Sequence, residues 1–210
     1  MSTAGEPYLQ PYLRAAQKYG AGFPALLWAS PRTQRARFEA IRQSYSPAGR
    51  SVLDAGCGRG DYLTFLIDRG VPPADYIGIE AVGDLADAAE AQHPDATILR
   101  ADFVRDPARL FVGADVVVFS GSLNTIEGPA FFETVRRAYD AAGEALVFNF
   151  LSSSFLAGQE YLFWHPPLEI ERFARGFCAD VRLRQDYLAG DATACLIKPA
   201  DPGAKETVHG

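Results

Sequence analysis

From Ser51 onward the sequence alternates between short apolar runs of the strand type and longer stretches with helical spacing. The strand-like runs are SVLDA, YIGIE, TILRAD, ADVVVFS and EALVFNFL, and the helix-like stretches among them are DYLTFLIDRG, VGDLADAAEAQH and PAFFETVRRAYDAAG. Strands joined by crossover helices run parallel, and continuous apolar runs are typical of strands that are covered on both faces. The pattern therefore predicts a doubly wound α/β fold with a mostly parallel sheet.

Segments at both ends extend this repeat. Residues 6–45 have an apolar spacing that indicates helices ahead of the first strand, which we expect to form a cap. Beyond the fifth strand, LEIERFARGF predicts a helix, and VRLRQDYLAGDATACLIKP predicts an antiparallel pair of strands around a turn at residues 189–191. We therefore expect a seven-stranded sheet with a C-terminal hairpin. The expected division is an N-terminal helical cap over residues 1–45, a main domain over 46–199 and a flexible tail over 200–210.

Composition limits the classes of partner. The 210 residues suffice for one sizeable core, and the net charge of -6 opposes binding to nucleic acid phosphates. No apolar run approaches the roughly 20 residues that span a bilayer, and the first residues lack the pattern of a secretory signal. The three cysteines are an odd number at no metal-ligand spacing. We therefore expect a cytoplasmic protein that binds neither nucleic acid nor membrane and holds no metal; the sequence indicates no oligomeric state.

A glycine-rich loop, DAGCGRGD over residues 54–61, follows the first predicted strand directly. Glycines at alternate positions let the backbone turn tightly and approach a ligand, and the start of the next helix offers unpaired N–H groups to an anion. The spacing differs from the G-x-G-x-x-G fingerprint of dinucleotide-binding loops, and Asp54 supplies a carboxylate that suits an ammonium group. The loop therefore predicts a ligand site that is distinct from a nicotinamide site.

This D-x-G-x-G-x-G loop resembles the first motif of class I S-adenosylmethionine-dependent methyltransferases. The resemblance implies S-adenosylmethionine as the cofactor, Glu80 at the end of YIGIE as the ligand of both ribose hydroxyls, and Asp102 with Phe103 as the adenine site. The cofactor-binding positions that it implies are Asp54, Ala55, Gly56, Gly58, Gly60, Glu80, Asp102 and Phe103. From the residues alone, Glu80 also fits a solvated strand end, Asp102 the N-cap of a short helix, and the glycines a plain turn.

A second resemblance covers the rest of the chain. SGSLNTI after the fourth strand, FNFLSSSF at the fifth and LLWASPRTQRARFEAI upstream are similar to a bacterial group of small-molecule methyltransferases. The resemblance implies that the segment over residues 28–38 lies over the cofactor, which places Arg37 among the candidate cofactor-binding residues. Ser120, Ser122 and Asn124 follow a central strand, at the edge where open α/β sheets bind ligands. They are candidates to contact cofactor or substrate, and a polar loop with an N-cap is the alternative.

Candidates for a catalytic base are His165, in the aromatic stretch YLFWHPP, and Glu127, ahead of a helix-like stretch. Methyl transfer depends on alignment of the reactants and exclusion of water, and a general base helps chiefly a hydroxyl acceptor. The alternatives are a solvent-facing loop histidine and a helix-start acid stabilised by the helix dipole. Trp28, Tyr161 and Trp164 are candidates to line an acceptor pocket, with core packing as the alternative.

The sequence thus favours methyl transfer to a small-molecule acceptor. Two other functions stay open: an aminopropyl-transferring relative of the same fold, and a non-catalytic subunit that binds S-adenosylmethionine or serves as a scaffold. The run SGSLN lacks the acidic residues that would support aminopropyl transfer.

Overall fold

A single mixed sheet forms the centre of the computed structural model, which describes residues 6–155 and 157–200. Its strands are β1 (Ser51–Ala55), β2 (Asp75–Glu80), β3 (Thr97–Arg100), β4 (Val116–Phe119), β5 (Ala145–Leu151), β6 (Asp180–Arg184) and β7 (Asp191–Ile197). They are arranged in the order β3, β2, β1, β4, β5, β7, β6. Strands β1 to β5 are parallel, and β7 runs antiparallel to both of its neighbours. The predicted seven-stranded sheet with a C-terminal antiparallel hairpin is confirmed.

Helices cover both faces of the sheet. They are α1 (Gln10–Tyr19), α2 (Pro31–Ser44), α3 (Asp61–Asp68), α4 (Gly83–Gln92), α5 (Gly128–Ala141) and α6 (Pro167–Arg175). Three short 3-10 helices span Phe23–Leu26, Pro107–Leu110 and Ser122–Thr125. The N-terminal region is therefore helical, as its apolar spacing predicted.

The alternating direction of the side chains along β1 shows which helices cover each face of the sheet. Leu53 packs in one buried cluster with Phe131 of α5, whereas Val52 packs in another with Phe38 of α2 and Phe65 of α3. Neighbouring strand residues point to opposite faces, so one apolar strand serves both clusters. Helix α2 consequently belongs to the layer that covers the sheet, in addition to its predicted place in the cap.

Helix α2 begins at a point that its sequence specifies. Ser30 is the N-cap, its hydroxyl accepts the N–H of Thr33 at 3.2 Å, and Pro31 occupies the first helical turn. A serine N-cap followed by proline satisfies orphan N–H groups and presets the helical backbone. This local signal fixes the direction in which α2 leaves the preceding loop.

The strand order reverses next to β1, which has β2 on one side and β4 on the other. At such a reversal the connections after β1 and β4 lead to opposite faces and leave a crevice at the carboxyl ends of the strands. The fold thus locates the candidate site at the ends of β1, β2 and β4.

The C-terminal turn lies close to its predicted position. The predicted turn at residues 189–191 is one residue shorter, because Asp191 is already the first residue of β7 and pairs with Leu151 of β5. The turn ends at Gly190, whose φ is 77°. The first five residues of the predicted cap and residues 201–210 of the predicted tail lie outside the described residues. Within the described part of the chain, no helix is long and apolar enough to cross a membrane.

Candidate cofactor and acceptor site

A cavity of about 260 Å³ lies at the carboxyl ends of the strands, beneath the N-terminal helices. The predicted cofactor residues that line it are Asp54, Gly56, Gly58, Glu80, Asp102, Phe103, Ser120, Ser122, Asn124 and Arg37. Ala55 and Gly60 are the predicted positions that do not line it. These residues, from five separate segments of the sequence, therefore meet at one place.

The glycine loop has a backbone that side chains rarely tolerate. At Gly56 φ is 79° and at Gly58 it is 58°. A Cβ at Gly56 would lie 2.4 Å from the Cβ of Ser122, and one at Gly58 would lie 2.8 Å from Leu26. The close neighbours of these glycines are therefore protein atoms. Packing within the protein thus requires glycine at these two positions, in addition to the ligand approach that the sequence predicted.

Most loop amides are already bonded inside the protein. The N–H groups of Gly56 and Cys57 both donate to the carbonyl of Ile79, at 2.8 and 3.0 Å, and Gly58 donates to Oε2 of Glu80 at 2.8 Å. These three loop amides are therefore not available to an anion. Helix α3 has no side-chain N-cap, so its first turn is the remaining source of N–H groups for an anion.

Asp54 is a buried carboxylate with one free oxygen. It is 1% exposed, and its Oδ2 accepts a hydrogen bond of 2.6 Å from the Tyr76 hydroxyl, whereas its Oδ1 has no partner among the described residues. Burial raises the pKa of Asp54 to about 7, the Tyr76 hydrogen bond opposes this, and the charges of Glu80 and Asp61 add to it. An unpaired buried oxygen in a cavity wall is suited to receive an ammonium group.

Glu80 is also buried, at 7% exposure, and its two oxygens accept the N–H groups of Gly58 and Val82 at 2.8 Å each. Burial raises its pKa, and these backbone hydrogen bonds act in the opposite direction. The structure therefore excludes the solvated strand end as an account of Glu80. A carboxylate has about four acceptor positions, so these hydrogen bonds do not use its full capacity.

Asp102 is bonded both locally and over a long sequence distance. Its Oδ1 accepts the N–H groups of Val104 and Arg105 at 3.0 and 3.1 Å and so caps the turn over residues 103–105, whereas the N-cap of the following short helix is Asp106 and not Asp102. Its Oδ2 accepts the Tyr8 hydroxyl at 2.7 Å. Phe103 lies beside it and packs edge-on against Phe119 at 5.3 Å between ring centroids.

The turn after β4 has polar side chains with fixed directions. The Ser122 hydroxyl donates to the carbonyl of Ala55 at 2.6 Å, and that of Ser120 donates to Oδ1 of Asn149 at 3.4 Å. Oδ1 of Asn124 accepts the N–H of Leu151 at 3.3 Å. Because each serine donates its single proton into the protein, both hydroxyls can act only as acceptors toward the cavity.

Arg37 forms an ion pair with Asp191, whose side chain is fully buried, and its guanidinium lies 4.9 Å from the Trp28 ring centroid. The Tyr187 hydroxyl donates to Oδ1 of the same aspartate at 2.5 Å. Thr193 donates to Tyr187 at 2.9 Å. This buried polar network ties α2 to the C-terminal hairpin.

Sequence reasoning missed this network. Asn149, Thr193 and Asp191 are at most 1% exposed, and the amide of Asn149 donates to Thr193 at 2.7 Å. The one available signal was a polar residue inside each of two otherwise apolar strand runs, in EALVFNFL and DATACLI. Buried polar groups need partners, so such residues predict partners but do not name them.

The structure does not bring the two predicted catalytic residues to the cavity. His165 lies outside its lining, with its ring stacked on Phe131 at 4.2 Å and its Nδ1 3.2 Å from Glu169. Glu127 is exposed at the N-cap of α5, which matches the alternative of a helix-start acid. We therefore withdraw both as catalytic candidates. Of the aromatic candidates, Trp28 lines the cavity, and Tyr161 and Trp164 do not.

The N-terminal segment encloses the cavity from above. Tyr8, Tyr12, Leu26 and Leu27 contribute to its lining together with Trp28. Hydrogen bonds also attach the segment to the loop below, because Arg59 donates to the carbonyl of Ala21 at 3.3 Å and Gln34 donates to Asp61 at 2.9 Å. The segment is therefore in contact with the glycine loop in this structure.

Comparison with solved structures identifies the class of fold: it is that of class I S-adenosylmethionine-dependent methyltransferases. Magnesium protoporphyrin IX methyltransferase (ChlM) from Synechocystis PCC 6803 with bound SAM superposes with a TM-score of 0.67 at 11% identity, covering 95% of this chain and 100% of that one. The CcbJ methyltransferase from Streptomyces caelestis gives 0.65 at 15% identity, with 91% and 98% covered. The DhpI complex with SAH gives 0.64 at 17% identity, with 92% and 95% covered.

No protein-family model matches the chain, and no curated protein matches it in sequence. The likeness is thus one of structure, and it confirms the fold that the glycine-loop resemblance implied.

Proposed function

We propose that this protein transfers a methyl group from S-adenosylmethionine to a small molecule. The observation that carries the proposal is the convergence of Asp54, Glu80 and Asp102, which follow or end three neighbouring strands, on one cavity. These are the positions that the motif resemblance implied before any geometry was known. Their free acceptor atoms also match the groups that the cofactor would present.

The polar atoms available in the cavity fit the three parts of the cofactor. The unpaired Oδ1 of Asp54 suits its ammonium group. The Glu80 carboxylate keeps acceptor capacity beyond its backbone hydrogen bonds, which suits ribose hydroxyls. Oδ2 of Asp102 holds a position beside the Tyr8 hydroxyl for an amino group, and Phe103 offers a ring face to a base.

The catalytic work assigned to the protein is alignment and exclusion of water. When bound, S-adenosylmethionine supplies a methyl group on a positively charged sulfur. Ser120 and Ser122 present lone pairs to the cavity, and they can accept an N–H or O–H of the acceptor and so orient it. Leu26, Leu27 and Trp28 cover the cavity, which keeps water from the reacting atoms.

A small acceptor is favoured because the N-terminal segment closes the cavity from above. The part of the lining near the ends of β4, β5 and β7 is mainly apolar, with Ile126, Leu151, Leu162, Leu188 and Ala189. Pockets of this kind bind small molecules through apolar contact and a few placed polar groups. We propose an acceptor with an apolar body, and its reacting atom is left open.

The binding experiment is calorimetry with S-adenosylhomocysteine and NAD⁺, followed by Glu80→Ala. We expect the wild type to bind S-adenosylhomocysteine and not NAD⁺, and the variant to lose about 1.5 to 3 kcal/mol of binding free energy with its charge-assisted ribose contacts. Because Glu80 also accepts two backbone N–H groups, the variant should be less stable, so its folded fraction must be measured. Glu90→Ala, at an acid exposed on α4, is the matched control. A wild type that prefers NAD⁺ would contradict the proposal.

Binding should also depend on pH through Asp54. Because burial raises its pKa to about 7, the protonated carboxyl stabilises the fold at low pH, and this contribution is lost as the pH rises through 7. An ammonium group binds the ionised form, so affinity for S-adenosylhomocysteine should increase about tenfold from pH 6 to pH 8. In Asp54→Asn most of that increase should disappear. Equal slopes in the wild type and the variant would show that another group titrates.

A further inference from the structure

A polar cluster lies behind the glycine loop, on the side away from the cavity. His93 directly follows the last residue of α4, and its Nε2 lies 3.0 Å from the carbonyl oxygen of Gly60 and 3.0 Å from Oγ1 of Thr64. None of these three residues lines the cavity. The contact joins residues that are 33 positions apart in the sequence.

Hydrogen-bond chemistry determines the roles within this cluster. A carbonyl oxygen can only accept, so Nε2 of His93 must carry a proton to bond Gly60. The same carbonyl accepts the N–H of Thr64 at 3.1 Å and its hydroxyl at 3.4 Å. Oγ1 of Thr64 in turn accepts the side-chain amide of Gln92. Three donors therefore converge on the carbonyl of Gly60, the residue at the N-cap of α3.

The histidine ring also accounts for the third glycine of the loop. Gly60 has a φ of 79°, and a Cβ there would lie 2.6 Å from Cδ2 of His93. Its N–H donates to the carbonyl of Cys57 at 3.0 Å, and Cys57 lines the cavity next to Gly58. A shift of Gly60 would consequently displace the face of the loop that meets a ligand.

We propose that His93 is a positioning residue for the amino-acid end of the bound cofactor. It holds the Gly60 carbonyl from behind, which keeps Gly58 and the first N–H groups of α3 directed at the cavity. The inference rests on the proposed function, since it assumes that the loop binds the amino-acid part of S-adenosylmethionine. Loss of such a residue should weaken the binding of the amino-acid part of the ligand and leave the binding of the nucleoside part unchanged.

The test compares two ligands by calorimetry. S-adenosylhomocysteine has the amino-acid part, and 5′-methylthioadenosine lacks it. In His93→Ala we expect the affinity for S-adenosylhomocysteine to fall about tenfold, as for the loss of one hydrogen bond, with the affinity for 5′-methylthioadenosine unchanged. His93→Gln should restore most of the loss, because its amide can donate to the same carbonyl.

His165→Ala is the control, since His165 is likewise packed and bonded and its side chain does not line the cavity. It should change affinity for neither ligand. If His93→Ala lowers the affinity for both ligands equally, or for neither, the positioning role is overturned while the proposed function stands. If the wild type binds neither ligand, the proposed function itself fails. The midpoint of urea unfolding, measured for each variant, ensures that folded protein is compared.

Discussion

Replacement of Arg37 by methionine is expected to lower the free energy of unfolding by about 3 to 5 kcal/mol. Methionine keeps much of the apolar stem, so the change removes mainly the charge. The carboxylate of Asp191, whose side chain is 0% exposed, would then keep the Tyr187 hydroxyl but lose its cation. A buried charge without its counterion is costly because the protein interior solvates it poorly. Urea unfolding, monitored by circular dichroism, gives the measurement.

The double variant Arg37→Met with Asp191→Asn should recover part of the loss, because the amide oxygen can still accept from Tyr187 and no charge is left unpaired. Arg109→Met supplies the comparison with an exposed pair, since Arg109 and Asp106 are 56% and 52% exposed. That change should cost less than about 1 kcal/mol. If Arg37→Met and Arg109→Met lower the free energy of unfolding by equally small amounts, the ion pair of Arg37 with Asp191 is not buried as the structure has it.

Replacement of Gly56 by alanine is expected to destabilise the fold and to weaken the binding of S-adenosylhomocysteine. The new Cβ would lie 2.4 Å from the Cβ of Ser122, so the turn after β4 must move. Movement would break the hydrogen bond of 2.6 Å from Ser122 to Ala55. The positive φ costs about 1 to 2 kcal/mol and overpacking about 1 to 3 kcal/mol more. Affinity should fall by a factor of about 100, as misplaced binding groups commonly cause.

Gly49→Ala separates the two causes. Gly49 has a φ of 73°, close to the 79° of Gly56, but a Cβ there would have no neighbour within 4 Å. The control should therefore show the backbone strain alone and keep full affinity for the ligand. Equal stability and equal affinity in the two variants would mean that the close contact between the glycine loop and the β4 turn is absent.

The sequence alone determined the layers of this protein. The apolar runs from SVLDA to EALVFNFL and the amphipathic stretches among them require a parallel sheet that is covered on both faces, because no other arrangement buries them. Turn boundaries were less certain. Asp191 was assigned to a turn because acidic residues are common there, and its buried partner Arg37 lies 154 positions away.

Local motifs likewise predicted which residues would lie together at the carboxyl ends of the strands. The loop at residues 54–61, Glu80 and Asp102 each follow or end a strand, so their common edge is a consequence of strand direction. The hydrogen-bond partners of these carboxylates could not be predicted from local motifs. Tyr8 reaches Asp102 across 94 residues, and Gly58 reaches Glu80 across 22.

Only the tertiary structure decided the residues whose roles depend on which face they occupy. His165 had the chemistry of a base, but its ring packs against Phe131 of α5 and away from the cavity. Asn149 and Thr193 are polar residues within apolar strand runs, and in the structure they are hydrogen-bonded to each other in the buried network. A periodic sequence pattern predicts which side chains of a helix or strand are buried. The direction that it faces and the partner that it meets are set by strand register and helix packing, which bring distant segments together.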